Sequence, residues 1–131
     1  MTNWTSPTSS SHDVTIALDP ERRAELIASL AAVRQRLSNA CAGVRRDPRT
    51  VTLVAVTKGF PASDIASLAA IGVSDFGESR DQEARAKIAQ LERAGIQTPR
   101  CHFIGQLQTN KCRSIARYAH TAHEIVCIGF Q

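Results

Sequence analysis

Three polar stretches in this 131-residue chain each follow a short apolar run, and each carries groups able to do chemistry. The first is Thr57-Lys58-Gly59, directly after VTLVAV at 51–56. Two-residue alternation puts Lys58 on the same face as Val54 and Val56. If that face is enclosed, desolvation penalises the ammonium and favours the neutral amine, which attacks an aldehyde to form a Schiff base. If it is open, the stem packs on the core and the head reaches water. Position alone leaves both readings standing. The second stretch is Phe76-Gly77-Glu78-Ser79, where glycine allows backbone to approach a ligand, or where Ser79 simply caps a following helix. The third is Gly105-Gln106, ahead of Gln108-Thr109-Asn110, which opens a helix whose free N–H groups suit an anion. Capping alone explains Thr109 more cheaply.

Other chemistries find less support. Cysteines at 41, 101, 112 and 127 and the histidines 102, 120 and 123 show no C-x2-C pair, so we expect no metal site. No P-loop and no G-x-G-x-x-G is present. Sixteen Lys and Arg against twelve Asp and Glu give +4, and Lys111, Arg113 and Arg117 form one basic helix edge, a pattern usual for a solvated face. With four Phe, one Trp and one Tyr there are few rings for stacking bases, so a small-molecule ligand is expected rather than nucleic acid. The opening MTNWTSPTSSSHDV has neither a basic nor an apolar signal region, and no run approaches the ~18 apolar residues of a membrane span. A cytoplasmic protein with reduced thiols is the expectation.

Elements must position these stretches. Residues 1–18 are rich in Ser and Thr and read as a flexible arm, with one folded domain over 19–131. Asp19-Pro20 opens a helix to about residue 41, with Leu26, Leu30, Val33, Leu37 and Cys41 on one face. Apolar runs at 51–57, 73–76, 101–105 and 124–128 read as strands, the last doubtful. Helices between them carry Ile65, Leu68 and Ala69, then Ala84, Ile88 and Leu91, then Cys112, Ile115, Ala116 and Ala119 inward. Alternating strands and helices imply a parallel sheet, doubly wound or (β/α) barrel, with ligand chemistry at the strands' carboxyl ends, where Lys58, Ser79 and Gln106 stand.

Read in order, LVAVTKGFPASDI, DFGESRDQEARAKI and HFIGQLQTNKCRSIARYAH resemble the YggS/PROSC family of pyridoxal-phosphate-binding proteins over residues 22 to about 123. The resemblance implies a (β/α) barrel of the alanine-racemase N-terminal type, with pyridoxal 5'-phosphate carried as a Schiff base on Lys58 and with Ser79 and Gln106 as lesser contacts. It implies a role in vitamin B6 and amino-acid homeostasis rather than catalysis. Ser79 stands where the family has asparagine, and the family's Ser-x-Gly-Met-Ser and Arg-x-Gly-Thr phosphate-binding stretches are not among these residues. The ending EIVCIGFQ also leaves the family pattern, so we expect a truncated, half-barrel product with impaired cofactor binding and self-association through open sheet edges. Two alternatives stay open. A racemase-like enzyme would need a second acid or base opposite Lys58, and an anion- or nucleic-acid-binding module would use the basic helix.

Overall fold

The computed structural model describes residues 15–123. Helix α1 spans Pro20–Gly43, started by Asp19, whose carboxylate accepts the Glu21 N–H at 3.0 Å, and by Pro20, whose fixed φ suits the first turn. After a 3-10 turn at Pro48–Thr50 the chain runs through β1 (Ala55–Val56), α2 (Ala62–Ala70), β2 (Asp75–Glu78) and α3 (Asp81–Arg93). It continues through β3 (Arg100–Phe103), a second 3-10 turn at Thr109–Lys111, α4 (Cys112–Ala116) and β4 (Ala119–Ala122). The strands form one parallel sheet in the order β1-β2-β3-β4. Helices thus connect neighbouring parallel strands, as the alternating pattern requires.

The expected element types are present, with shifted ends. Strand β1 pairs over only two residues of the run 51–57, and β2 lies two residues beyond 73–76, because its pairing with β1 and β3 is set by Asp75–Glu78. A fourth strand forms at Ala119–Ala122, ahead of the run at 124–128, which lies outside the described residues. Tyr118 falls in the turn after α4 rather than in the helix. The sheet is open: β1 and β4 are its edges among the described residues.

The core sits on the helix-covered side of the sheet. Phe76 and Cys101 project from β2 and β3 onto Ala62, Ile65 and Ala66 of α2 and Leu91 of α3, with Ile16, Ile88, Ile96 and Tyr118 around them. Ile16 therefore packs on the domain from within the segment expected to be loose. The stripe of α1 is less enclosed than its periodicity suggests: Cys41 is buried, Leu26, Leu30 and Leu37 are half-buried and Val33 is exposed. This helix lies against α2 and the first 3-10 turn instead of against the sheet.

The opposite face carries β1 Val54 and Val56, β2 Asp75 and Gly77, and β3 His102 and Ile104, as the register dictates. Gly77 leaves room for these side chains: a Cβ there would come 3.0 Å from Ile104 Cδ1 and 3.3 Å from Val54 Cγ1, so both would have to shift. Below this apolar contact, Asp75 Oδ1 lies 2.7 Å from His102 Nε2, and His102 Nδ1 lies 2.6 Å from Thr121 Oγ1. Carboxylates only accept, so Nε2 carries the proton toward Asp75. Arg100 also donates to Asp75, at 3.0 and 3.1 Å. This chain ties β2, β3 and β4 together across the irregular register at Cys101/His102. Truncating Leu91 or Phe76 to alanine should cost about 2–5 kcal/mol, read as a lower urea midpoint at unchanged slope.

Candidate functional site

Thr57 to Phe60 form a tight turn, closed by the Phe60 N–H donating to the Thr57 carbonyl at 3.0 Å. Gly59 sits at φ +79°, the left-handed position that a type II turn reserves for glycine, which leaves Lys58 at the tip. The turn is held from beneath by a buried cluster. Lys87 of α3 donates to the Thr57 carbonyl at 2.8 Å and to Glu78 Oε1 at 2.6 Å, and lies 2.7 Å from Glu83 Oε1. Its three ammonium hydrogens thus meet three acceptors. The Thr57 hydroxyl donates to Glu78 Oε1 at 2.8 Å, and the Gly59 N–H donates to Glu83 Oε1 at 2.6 Å. Glu78 is fully buried, and its other oxygen, Oε2, has no hydrogen-bond partner among the described residues.

Lys58 itself is exposed, and its side chain makes no hydrogen bond or ion pair among the described residues. The enclosure considered for it from the sequence is therefore not present. Pairing of β1 stops at Val56, itself 50% exposed, and in the turn that follows Thr57 is buried while Lys58 is exposed. The enclosed lysine is Lys87, which the sequence reading passed over. Its signal was there: it stands three residues after Ala84 and four before Leu91 on the buried side of α3, four residues after Glu83. Asp75 and His102, polar residues inside apolar strands, were missed in the same way.

Ser79 and Gln106 do come together. Both line a cleft of ≈ 580 Å³ at the carboxyl ends of β2 and β3, with Arg80, Gln108, Lys111 and Phe103. Gly105 permits this closeness, since a Cβ there would meet Ser79 O at 3.0 Å. Lys58 does not line that cleft. A slightly larger groove, ≈ 620 Å³, lies at the strands' amino ends, lined by Arg34, Arg49 and Arg100, and none of Lys58, Ser79 and Gln106 borders it. Ligand chemistry in parallel α/β folds belongs to the carboxyl ends, so we take the Lys58 end as the site. The remaining polar residues are structural. Tyr118 donates to Asp81 Oδ1 at 3.0 Å, with burial and that contact pushing its phenol up, and burial pushes the Cys101 thiol up to about 12. Among the described residues, no group of three or more His, Cys, Asp or Glu is placed to hold a metal ion. No helix there is long and apolar enough to cross a membrane.

Two outcomes follow from the buried cluster. Lys87→Met strands Glu78 without its cation and should cost about 3–5 kcal/mol in urea unfolding, part of it recovered when Glu78 is also made apolar. The Lys87 contact and the Gly59 N–H hold the Glu83 carboxyl below its ordinary value of 4.5. Asp75 also lies below its ordinary 3.8: burial pushes it up, and hydrogen bonds from His102 and Arg100 outweigh that. Carboxyls lowered in the folded state contribute stability that is complete above the ordinary values and lost as pH falls through the lower folded ones. The melting temperature should therefore drop on going from about pH 5 toward about pH 2, with a shallower drop in Glu83→Gln.

No family model matches the chain. Curated relatives do. A pyridoxal phosphate homeostasis protein of Mycobacterium bovis is 41% identical over 116 residues, covering 81% of this chain and 44% of that protein. The protein of that name from Escherichia coli is 40% identical over 97 residues, covering 74% and 42%. Among solved structures, PipY of Synechococcus elongatus with pyridoxal phosphate bound superposes with a TM-score of 0.55 at 36% identity, covering 66% of this chain and 41% of PipY. A Bifidobacterium adolescentis protein of unknown function gives 0.73 at 28% identity, covering 83% and 47%. The chain spans about half the length of the relatives it matches. The chain belongs to the YggS/PROSC family of pyridoxal phosphate homeostasis proteins.

Proposed function

We propose that this chain binds pyridoxal 5'-phosphate through Lys58 and serves vitamin B6 and amino-acid homeostasis without turning over a substrate. The observation that carries the proposal is the contrast among its three lysines. Lys87 is buried with every ammonium hydrogen engaged, Lys111 sits half-buried in the second 3-10 turn, and Lys58 projects unpaired from an otherwise fixed turn. The residues fit an aldehyde cofactor: an accessible amine stands at the carboxyl end of the sheet, and Ser79, Gln106 and Arg80 line a cleft at the same end. When bound, the cofactor supplies an electrophilic carbonyl and a conjugated ring. Lys58 would hold the cofactor by condensing its amine with that carbonyl, with loss of water.

The placement of the chain's one tyrosine supports storage over racemisation. Tyr118 is engaged by Asp81 between α3 and α4, on the helix-covered side, and so does not face Lys58 as a second acid or base.

Borohydride reduction after adding pyridoxal 5'-phosphate, followed by peptide mapping, tests the assignment. The label should fall predominantly on Lys58 and disappear there in Lys58→Ala. Even labelling of Lys58, Lys87 and Lys111 would refute the site.

A further inference from the structure

The far end of the Lys58 turn is held by a residue outside the sheet. Arg22, in the first turn of α1, places its guanidinium carbon 5.4 Å from the centroid of the Phe60 ring. The same guanidinium grips Asp64 of α2 in a two-point contact, Nη2 to Oδ2 at 2.8 Å and Nε to Oδ1 at 3.2 Å, and reaches Glu25 at 3.0 Å. Asp64 is 5% exposed, so this pair is fixed on one side by a buried carboxylate, whereas the Phe60 ring is half in solvent. Planar guanidinium over a ring face is a favourable cation–π geometry, and the two-point carboxylate contact holds the plane in place. Phe60 closes the turn with its N–H on Thr57, two residues from Lys58. The cluster around Lys87 fixes Thr57 and Gly59, and Arg22 fixes Phe60. Lys58 is thus the one residue of the four that no hydrogen bond, ion pair or ring contact from another described residue holds directly.

We propose that Arg22 is a positioning residue for Lys58: by holding Phe60 and Asp64 together it sets the direction in which the amine meets an aldehyde. This rests on the reading of Lys58 as the cofactor-bearing lysine. The mechanism is geometric. A turn free to swing about its Phe60 end spreads the amine over more orientations, and the productive fraction falls.

The test measures the apparent association constant for pyridoxal 5'-phosphate by absorbance in the full 131-residue chain. Wild type, Arg22→Gln, Arg22→Lys, Phe60→Leu and the Arg22→Gln/Phe60→Leu double variant are compared well below each melting temperature. There the folded fraction is close to one, so a purely structural role leaves the constant unchanged. Phe60→Leu keeps the Arg22–Asp64 pair intact and so stays informative even if Arg22→Gln unfolds. We expect each of these two to weaken binding roughly two- to fivefold, the size an exposed cation–π contact supports. Arg22→Lys should retain part of the affinity, and the double variant should be no weaker than the worse single one, because both remove one contact. Wild-type affinity in Phe60→Leu, or effects that simply multiply in the double variant, would overturn the proposal. If wild type forms no adduct, the reading of Lys58 fails by itself. Trace acetylation with acetic anhydride then decides the positioning role: the Lys58-to-Lys111 labelling ratio must shift in Phe60→Leu, and an unshifted ratio refutes it.

Discussion

A single ammonium group buried between two carboxylates constrains the functional end of this molecule. Lys87 is 6% exposed and Glu78 is fully buried, so neither charge can be left without the other. Their pairing fixes α3 against the end of β2. The remaining hydrogens of Lys87 are then committed to Glu83 and to the Thr57 carbonyl, and Glu83 in turn accepts the Gly59 N–H. Charge burial inside the fold thereby dictates the shape of a surface turn.

The two faces of the sheet divide the work. On the helix-covered face, Phe76 and Cys101 meet α2 and α3 in a small apolar core. On the other face, Val54 and Ile104 close over Gly77, and the Asp75–His102–Thr121 chain with Arg100 knits the strands below it. Each glycine that matters sits where a side chain would obstruct: Gly77 under that apolar contact and Gly105 against the Ser79 backbone, while Gly59 supplies the left-handed turn position. In both polar clusters the decisive contacts are distant in sequence: Lys87 to Glu78 spans 9 residues, Lys87 to Thr57 spans 30 and His102 to Asp75 spans 27, and these meet only through crossovers.

That separation explains what was legible in advance. Alternation of apolar runs with amphipathic helices gave the element order and the parallel sheet, and the three motifs at strand ends pointed to Lys58, Ser79 and Gln106. Strand limits shifted because pairing, rather than local hydrophobicity, ends β1 at Val56. Of the two readings left standing for Lys58, the open one holds among the described residues, where Val56 on the same face is itself 50% exposed. Lys87 was overlooked because a lysine on a helix reads as solvated. Its burial depends on Glu78, a residue that the local helical pattern of α3 does not include. The hold of Arg22 on Phe60 crosses from α1 to a loop and leaves no periodic trace at all.

A crystal structure of the 131-residue chain soaked with excess pyridoxal 5'-phosphate tests the central claim most directly. The account predicts electron density continuous from Lys58 Nζ to the cofactor, with Lys87 still seated between Glu78 and Glu83 and the Gly59 N–H still on Glu83. Density continuous with Lys87 or Lys111, or a turn rearranged so that Lys87 leaves Glu78, would contradict it.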